Sequence, residues 1–364
     1  MMAHFATAQT CKSLPSEGIV DPHMKTKHRV GIVVGLVLLG AFVYIKTVTK
    51  VPKLVIYSAR SEALMTPIFE AYTQKTGVEI SYQIADAGVL MNRLKSEGDA
   101  SPADIFIATE AVSLAQATTQ GLLYPLKSDL LFAAIPASLR DAQGHWFGYA
   151  SFAITAVYHP KRVSESTLST YTNFVFPQWK GRLLLRSSRH IYNKSLFAMW
   201  MNDRGDAETS ATLSGWVFNL AAPPFDTDRQ VLEALEKGKG DVGIVNSSEF
   251  GHYKRENPKT KLRLSWLDQP VSGGLGVQVN VSGGGILAKS KHIKEAQAFL
   301  EWLITPEAQQ LWANLNNEFP VSAEVTGNAI VESWGLWYRN PISVEKYATH
   351  MTTVMEILDG AGYE

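Results

Sequence analysis

Three short segments carry residue types that bind small charged solutes: "YSARSE" at 57–62, "RSSRHIYN" at 186–193 and "NSSEFG" at 246–251. In the second, Ser187 and Ser188 lie where a strand gives way to a helix. Free backbone amides at such a junction carry partial positive charge and accept anions. Arg186 and Arg189 would add charge-assisted hydrogen bonds. A plainer reading, a helix N-cap flanked by solvated arginines, fits the same residues, and both stay open. Asp228 and Gln230 in "TDRQ" need no more than a helix-capping role, and Tyr57 reads as the structural end of a strand. Trp146, Tyr149, Trp179 and Trp266 read as packing.

Catalytic signatures are absent. The nine histidines include no pair four apart on a helix, and the single cysteine, Cys11, excludes an internal disulfide and any cysteine-based metal cluster. "GGGILAKS" at 283–290 has Ala288 where a phosphate-binding loop needs its second glycine, so it reads as a Gly-rich crossover strand. No enzyme activity and no catalytic cofactor is expected.

Parallel α/β units are expected to position these segments. "KLVIYSA", "VEISYQIA" and "ADIFIAT" read as strands, separated by the amphipathic helices "EALMTPIFEAYTQKTG" and "GVLMNRLKSEG". Strand and helix in alternation imply a parallel sheet covered by helices. "HWFGYASFAITAVYHP" reads as extended chain crossing into a second lobe. There "GRLLLRSS" and "DVGIVNSS" are strands, and "GGLGVQVNVSGGGILA" crosses back. All three polar segments then fall at the carboxyl ends of strands, where such sheets bind ligands.

The chain has 364 residues, 46% hydrophobic, with 34 basic and 34 acidic side chains, enough for two lobes and too balanced for nucleic acid as the main partner. Residues 1–29 form a tail without regular pattern, in which Met24 is a second candidate start. Val30–Ile45 is a run of sixteen uncharged residues. A membrane span takes about 20 apolar residues and a signal-peptide core roughly 7–15. With no Ala-x-Ala-like site after it, the segment at 30–46 reads as an uncleaved anchor rather than a removed signal.

Taken together, the segments resemble the substrate-binding proteins of bacterial ferric-iron ABC importers. The similarity runs from about Leu54 to Tyr363 and includes "LVIYSARSE", "GRLLLRSSRHIYNKSL", "TDRQVLEALEKGKGDVGIVNSSEF", "VNVSGGGIL" and "EAQAFLEWLITPEAQQLWANLNNEFPV". It implies an α/β, two-lobed periplasmic-binding-protein type II fold behind an N-terminal transmembrane anchor. Lobe 1 would comprise 53–150 and 276–320, and lobe 2 would comprise 151–275 and 321–364. It also implies a monomer, periplasmic or anchored on the outer face of the inner membrane. Its partners would be permease subunits with a cytoplasmic ATPase.

The resemblance breaks at the ligands. The iron binders read Tyr-Ser-x-Arg-His-Tyr where this chain has Ser61 and Glu62 in place of the His and the second Tyr. Their adjacent iron-holding tyrosines, in Asn-x-Tyr-Tyr, match Ser248 and Glu249 here, after Asn246. A further tyrosine from "IYN" is retained as Tyr192. The implied set is Glu62, Tyr192, Glu249 and His190, with the two glutamates facing each other across the cleft. Carboxylate and imidazole suit a divalent transition metal as well as Fe³⁺. Tyr57, Arg60, Ser61, Ser187, Ser188, Arg189, Asn246 and Ser248 would line the same cleft. Arg60, Arg189 and the serine amides also fit a rival cargo, a small anionic phosphate, phosphonate or carboxylate. A third reading keeps the fold as a membrane-tethered sensor or scaffold without transport.

Overall fold

The computed structural model describes residues 52–322 and 324–363. The expected tail and anchor, with Cys11, lie outside them. Among the described residues no helix is long and apolar enough to cross a membrane.

Strand β1 (Lys53–Ser58) is followed by helix α1 (Glu62–Thr76), strand β2 (Glu79–Ile84), helix α2 (Ala87–Glu97), strand β3 (Ile105–Ala108) and helix α3 (Ala111–Thr119). β1 pairs in parallel with β2 on one side and β3 on the other. α1 buries Met65, Ile68, Phe69 and Tyr72, the i, i+3, i+4, i+7 stripe of a helix lying on a sheet. It stops at Gly77, whose φ of 73° is left-handed and whose amide donates to the Thr73 carbonyl.

Every residue of β4 (Phe147–Tyr158) is buried. Beyond it come β5 (Leu183–Leu184), α4 (Ile191–Arg204), α5 (Asp206–Phe218), α6 (Asp228–Glu236), β6 (Val242–Asn246), α7 (Ser247–Glu256), β7 (Arg263–Ser265) and β8 (Gln278–Ile286). The chain closes with α8 (Ile293–Leu303), α9 (Pro306–Asn316), β9 (Phe319–Pro320), α10 (Val344–Ala348) and α11 (Met351–Gly360).

The strand order is β2-β1-β3-β8-β4-β6-β5. β4 and β8 run antiparallel from Phe147↔Gly284 to Ile154↔Gln278 and join the β2-β1-β3 side of the sheet to the β6-β5 side. At one end β8 pairs with β3, and at the other β4 pairs with β6. β4 carries a β-bulge between Gly148 and Ala150 and pairs with β9 at Ala150 and Ser151. The glycine run in β8 is explained by packing. A Cβ on Gly283 would lie 2.8 Å from the Phe147 carbonyl oxygen, and one on Gly285 would lie 2.3 Å from that of His145. α10 packs on both α3 and α4, so the C-terminal region ties these two helices together.

Candidate ligand site between the lobes

Three chain turns converge at the crossing strands. The first follows β1. The Ser58 hydroxyl accepts from the Arg60 amide at 3.2 Å, and this turn sends the Arg60 side chain inward. There Nη1 donates to Ser282 Oγ of β8 at 2.6 Å and Nη2 pairs with Glu318. The guanidinium lies 4.9 Å from the Trp312 ring, whose Nε1 donates to the second Glu318 oxygen at 2.8 Å. Burial works against the Arg60 charge, but Glu318, with Tyr149 and Tyr192, more than offsets it, and the pKa is raised. Arg60 Nε and the Tyr149 hydroxyl, both buried here, have no hydrogen-bond partner. The Arg60 and Glu318 charges both act on the Tyr149 hydroxyl.

The second turn follows β3. Glu110 caps α3 and is fully enclosed. It accepts from the Ser113 amide and hydroxyl, each at 2.8 Å, and from the Val112 amide at 3.0 Å. Ser195 Oγ of α4 donates to it at 3.1 Å, tying the two helices together. Burial raises the Glu110 carboxyl above its usual range, against the pull of these donors.

The third turn opens α4. Arg186 Nη1 donates to Asp228 at 2.8 Å, and Asn193 Nδ2 donates to the Arg186 carbonyl at 2.8 Å and the Ser187 carbonyl at 3.1 Å. Asp228 thus ties the "RSSRH" turn to the start of α6, more than the cap read from sequence. The His190 ring caps α4, its Nδ1 accepting from the Tyr192 amide at 3.3 Å. That bond assigns the proton to Nε2. Burial first, then Arg186 and Lys194, push the His190 pKa down to about 3, so the ring is neutral. Tyr192 packs edge-on against Phe152 of β4 at 4.9 Å. Burial pushes its pKa up to about 12, with Arg60 pulling the other way. The phenol is therefore protonated at neutral pH.

Tyr192 thus packs against β4, and the Arg60 charge acts on its phenol. The other expected residues are distributed differently. Tyr57 points away, donating to both Glu97 oxygens at 2.9 and 3.0 Å, with Arg93 over its ring. Ser61 and Glu62 are exposed, and Glu62 accepts from the Tyr82 hydroxyl of its own lobe at 2.8 Å. Ser187 accepts from the Arg189 amide at 3.3 Å, Ser188 is buried and Arg189 is exposed. Asn246 caps α7 by accepting from the Ser248 amide at 2.8 Å. Glu249 accepts from Arg229 Nε at 2.9 Å.

In this structure Glu62, His190 and Glu249, expected beside Tyr192, are each held by separate partners rather than gathered. Among the described residues no three His, Cys, Asp or Glu side chains gather closely enough to hold a metal ion. The physical reason differs at each position. Glu62 is satisfied by Tyr82, Glu249 by Arg229, and the His190 lone pair by the helix it caps.

Sequence reasoning also missed Glu110, Gln278, Asn280, Ser282, Glu318 and Arg229. One signal was available: Gln278, Asn280 and Ser282 alternate along an otherwise apolar or glycine strand, putting a polar stripe on one face.

Residues 57–310 match the family model described as bacterial extracellular solute-binding protein. The chain is 32% identical over 312 residues to iron uptake protein A1 of Synechocystis, covering 85% of this chain and 87% of that protein. It is 28% identical over 279 residues to the Fe(3+)-binding periplasmic protein of Serratia marcescens, covering 75% and 79%. A solved Trichodesmium structure in complex with iron and citrate ligands is similar with a TM-score of 0.81 at 32% identity. That match covers 86% of this chain and all of the other.

Proposed function

We propose that this chain, which belongs to the bacterial extracellular solute-binding protein family, captures ferric iron between its two lobes and delivers it to the permease of an ABC importer. A cytoplasmic ATPase would drive that permease. The observation that carries this reading is Tyr192: a phenol packed on β4, in a chain similar over most of its length to iron-binding proteins. Closure on cargo is a population shift driven by contacts made only in the closed form. Tyr192 is suited to make them, since it opens α4, packs on β4 and feels the charge of Arg60 from the β1 turn. Glu249 is the carboxylate best able to join it, because Arg229 keeps Glu256 as a second partner when Glu249 leaves. Binding and release are the whole activity in this reading, without catalysis. The protein works as a monomer in the periplasm, held at the outer face of the inner membrane by residues 30–46.

The His190 Nε2–H donor favours a second reading in the same cleft, a small anionic organic solute. Elemental analysis separates the two. The purified full chain, loaded with ferric citrate and desalted, should retain about one iron, and Tyr192→Phe should retain less than about a tenth of that, since the lost phenol is an anchoring contact. Absence of iron from the wild-type chain overturns the iron reading.

A further inference from the structure

We propose that the hollow beside Trp337 is a second binding site, in which Arg339 holds a small monocarboxylate with an aromatic or branched apolar body.

The hollow has a volume of about 500 Å³ and is lined by Phe319, Val325, Val331, Leu336, Trp337 and Arg339. It shares no residue with the Arg60–Tyr192 site. Its walls are fixed by the sheet. Phe319 pairs with Ser151 of β4, and Arg339 bridges Val277 just before β8. The Trp337 ring lies 4.8 Å from Phe319 and stacks on Trp266 at 4.7 Å and 19°. Trp266 in turn donates from Nε1 to the Trp334 carbonyl at 2.9 Å, which holds the stack in place. Aromatic and apolar walls around one charged group are the usual make-up of a small-ligand site, and the volume is in the usual range. Leu336 at the mouth is fully exposed, apolar surface that a ligand's body would cover.

The charge names the ligand. Arg60, Arg186, Arg204 and Arg229 each answer their burial with a carboxylate. Arg339 is half-buried, yet among the described residues no acid pairs with it, and burial alone acts on it, pushing its pKa below the usual arginine value. Its guanidinium lies 5.7 Å from the centre of the Trp337 ring. The ring attracts the charge but offers its N–H groups no oxygen acceptor. Glu332 also lines the hollow, exposed, and accepts from the Gly327 amide at 2.8 Å. A desolvated guanidinium without a counter-charge is costly, and a carboxylate matches its planar fork with two parallel hydrogen bonds. No second cation lines the hollow, so a dianion such as a phosphate ester would be only half neutralised.

Calorimetry on the full chain tests this, with phenylacetate as the probe and 2-phenylethanol as its uncharged counterpart. Phenylacetate should bind one-to-one, at least tenfold tighter than 2-phenylethanol, and should change the tryptophan fluorescence. Arg339→Met keeps the apolar stem. It should weaken phenylacetate at least tenfold, to the level of 2-phenylethanol, and leave iron retention unchanged. Tyr192→Phe should leave phenylacetate binding as it was. Should Arg339→Met fail to fold, Leu336→Glu places a carboxylate at the exposed mouth and should weaken phenylacetate at least threefold. Failure of phenylacetate to bind at millimolar concentration overturns the inference, and so does equal affinity for the two probes. Binding that is lost in Tyr192→Phe and kept in Arg339→Met also overturns it, by placing the anion in the interlobe cleft.

Discussion

Two arginine–glutamate pairs in this molecule have the same chemistry and opposite surroundings. Arg60 and Glu318 are sealed, with side chains 6% and 1% exposed, while Arg229 and Glu249 are 30% and 29% exposed. Each partner in the sealed pair also meets Ser282 or Trp312, so the pair acts as a fixed strut under the cleft. In the open pair Arg229 also holds Glu256, so it can exchange partners. Charge in a solute-binding cleft therefore falls into two kinds: charge that builds the floor and charge that can move when cargo arrives.

The comparison is tested most severely at the strut. Breaking a buried pair by removing one partner costs about 3–5 kcal/mol, because the other charge stays buried alone. Glu318→Gln and Arg60→Met should each lose about that much in urea unfolding. The double variant should recover much of it, since replacing both members of such a pair is often nearly neutral. Losses below about 1 kcal/mol in both single variants would mean that the floor does not depend on this strut.

A smaller effect belongs to His190. Its folded pKa lies near 3 because of burial, Arg186 and Lys194, whereas an unfolded histidine titrates near 6.5. The unfolded chain therefore binds the proton first. Stability is fully present above about pH 6.5 and is lost as pH falls from there toward 3. At about pH 4.5 the loss from this residue should be about 2–3 kcal/mol. His190→Asn keeps an acceptor for the Tyr192 amide and should remove that part of the acid dependence, read from unfolding midpoints at neutral and acid pH. Unchanged acid sensitivity would separate His190 from the buried set.

These contrasts also explain what the sequence could disclose. The crossing strand β4 was legible because it is a long apolar run, buried throughout. The α1 stripe, and the glycines that let β8 lie against the Phe147 and His145 backbone, were legible for similarly local reasons. Nothing local to Glu318 in "NNEFPV" says that its partner is Arg60, 258 residues away. The positions of Glu62 and Glu249 followed from the resemblance, but side-chain direction did not. Glu62 opens α1 on the side of Tyr82, and Glu249 is drawn to an arginine contributed by α6. His190 was a visible candidate, yet its role depends on which nitrogen the Tyr192 amide occupies.

The smallest effect discriminates best, because the same substitution should change sign between the two pairs. Burial holds the Glu249 carboxyl above its usual pKa despite Arg229 beside it. A carboxyl with a raised folded pKa contributes fully when protonated, below its unfolded value, and loses that contribution as pH rises through the folded one. Ionised Glu249 is thus a mild cost at neutral pH. Glu249→Gln removes that cost, and Arg229 retains Glu256. The variant should be unchanged or up to about 1 kcal/mol more stable at neutral pH, with the difference closing below about pH 4. Glu318→Gln should be destabilising at the same pH. If Glu249→Gln instead lost more than about 1 kcal/mol, Arg229–Glu249 would be a second strut and Glu249 would have no freedom to turn toward cargo.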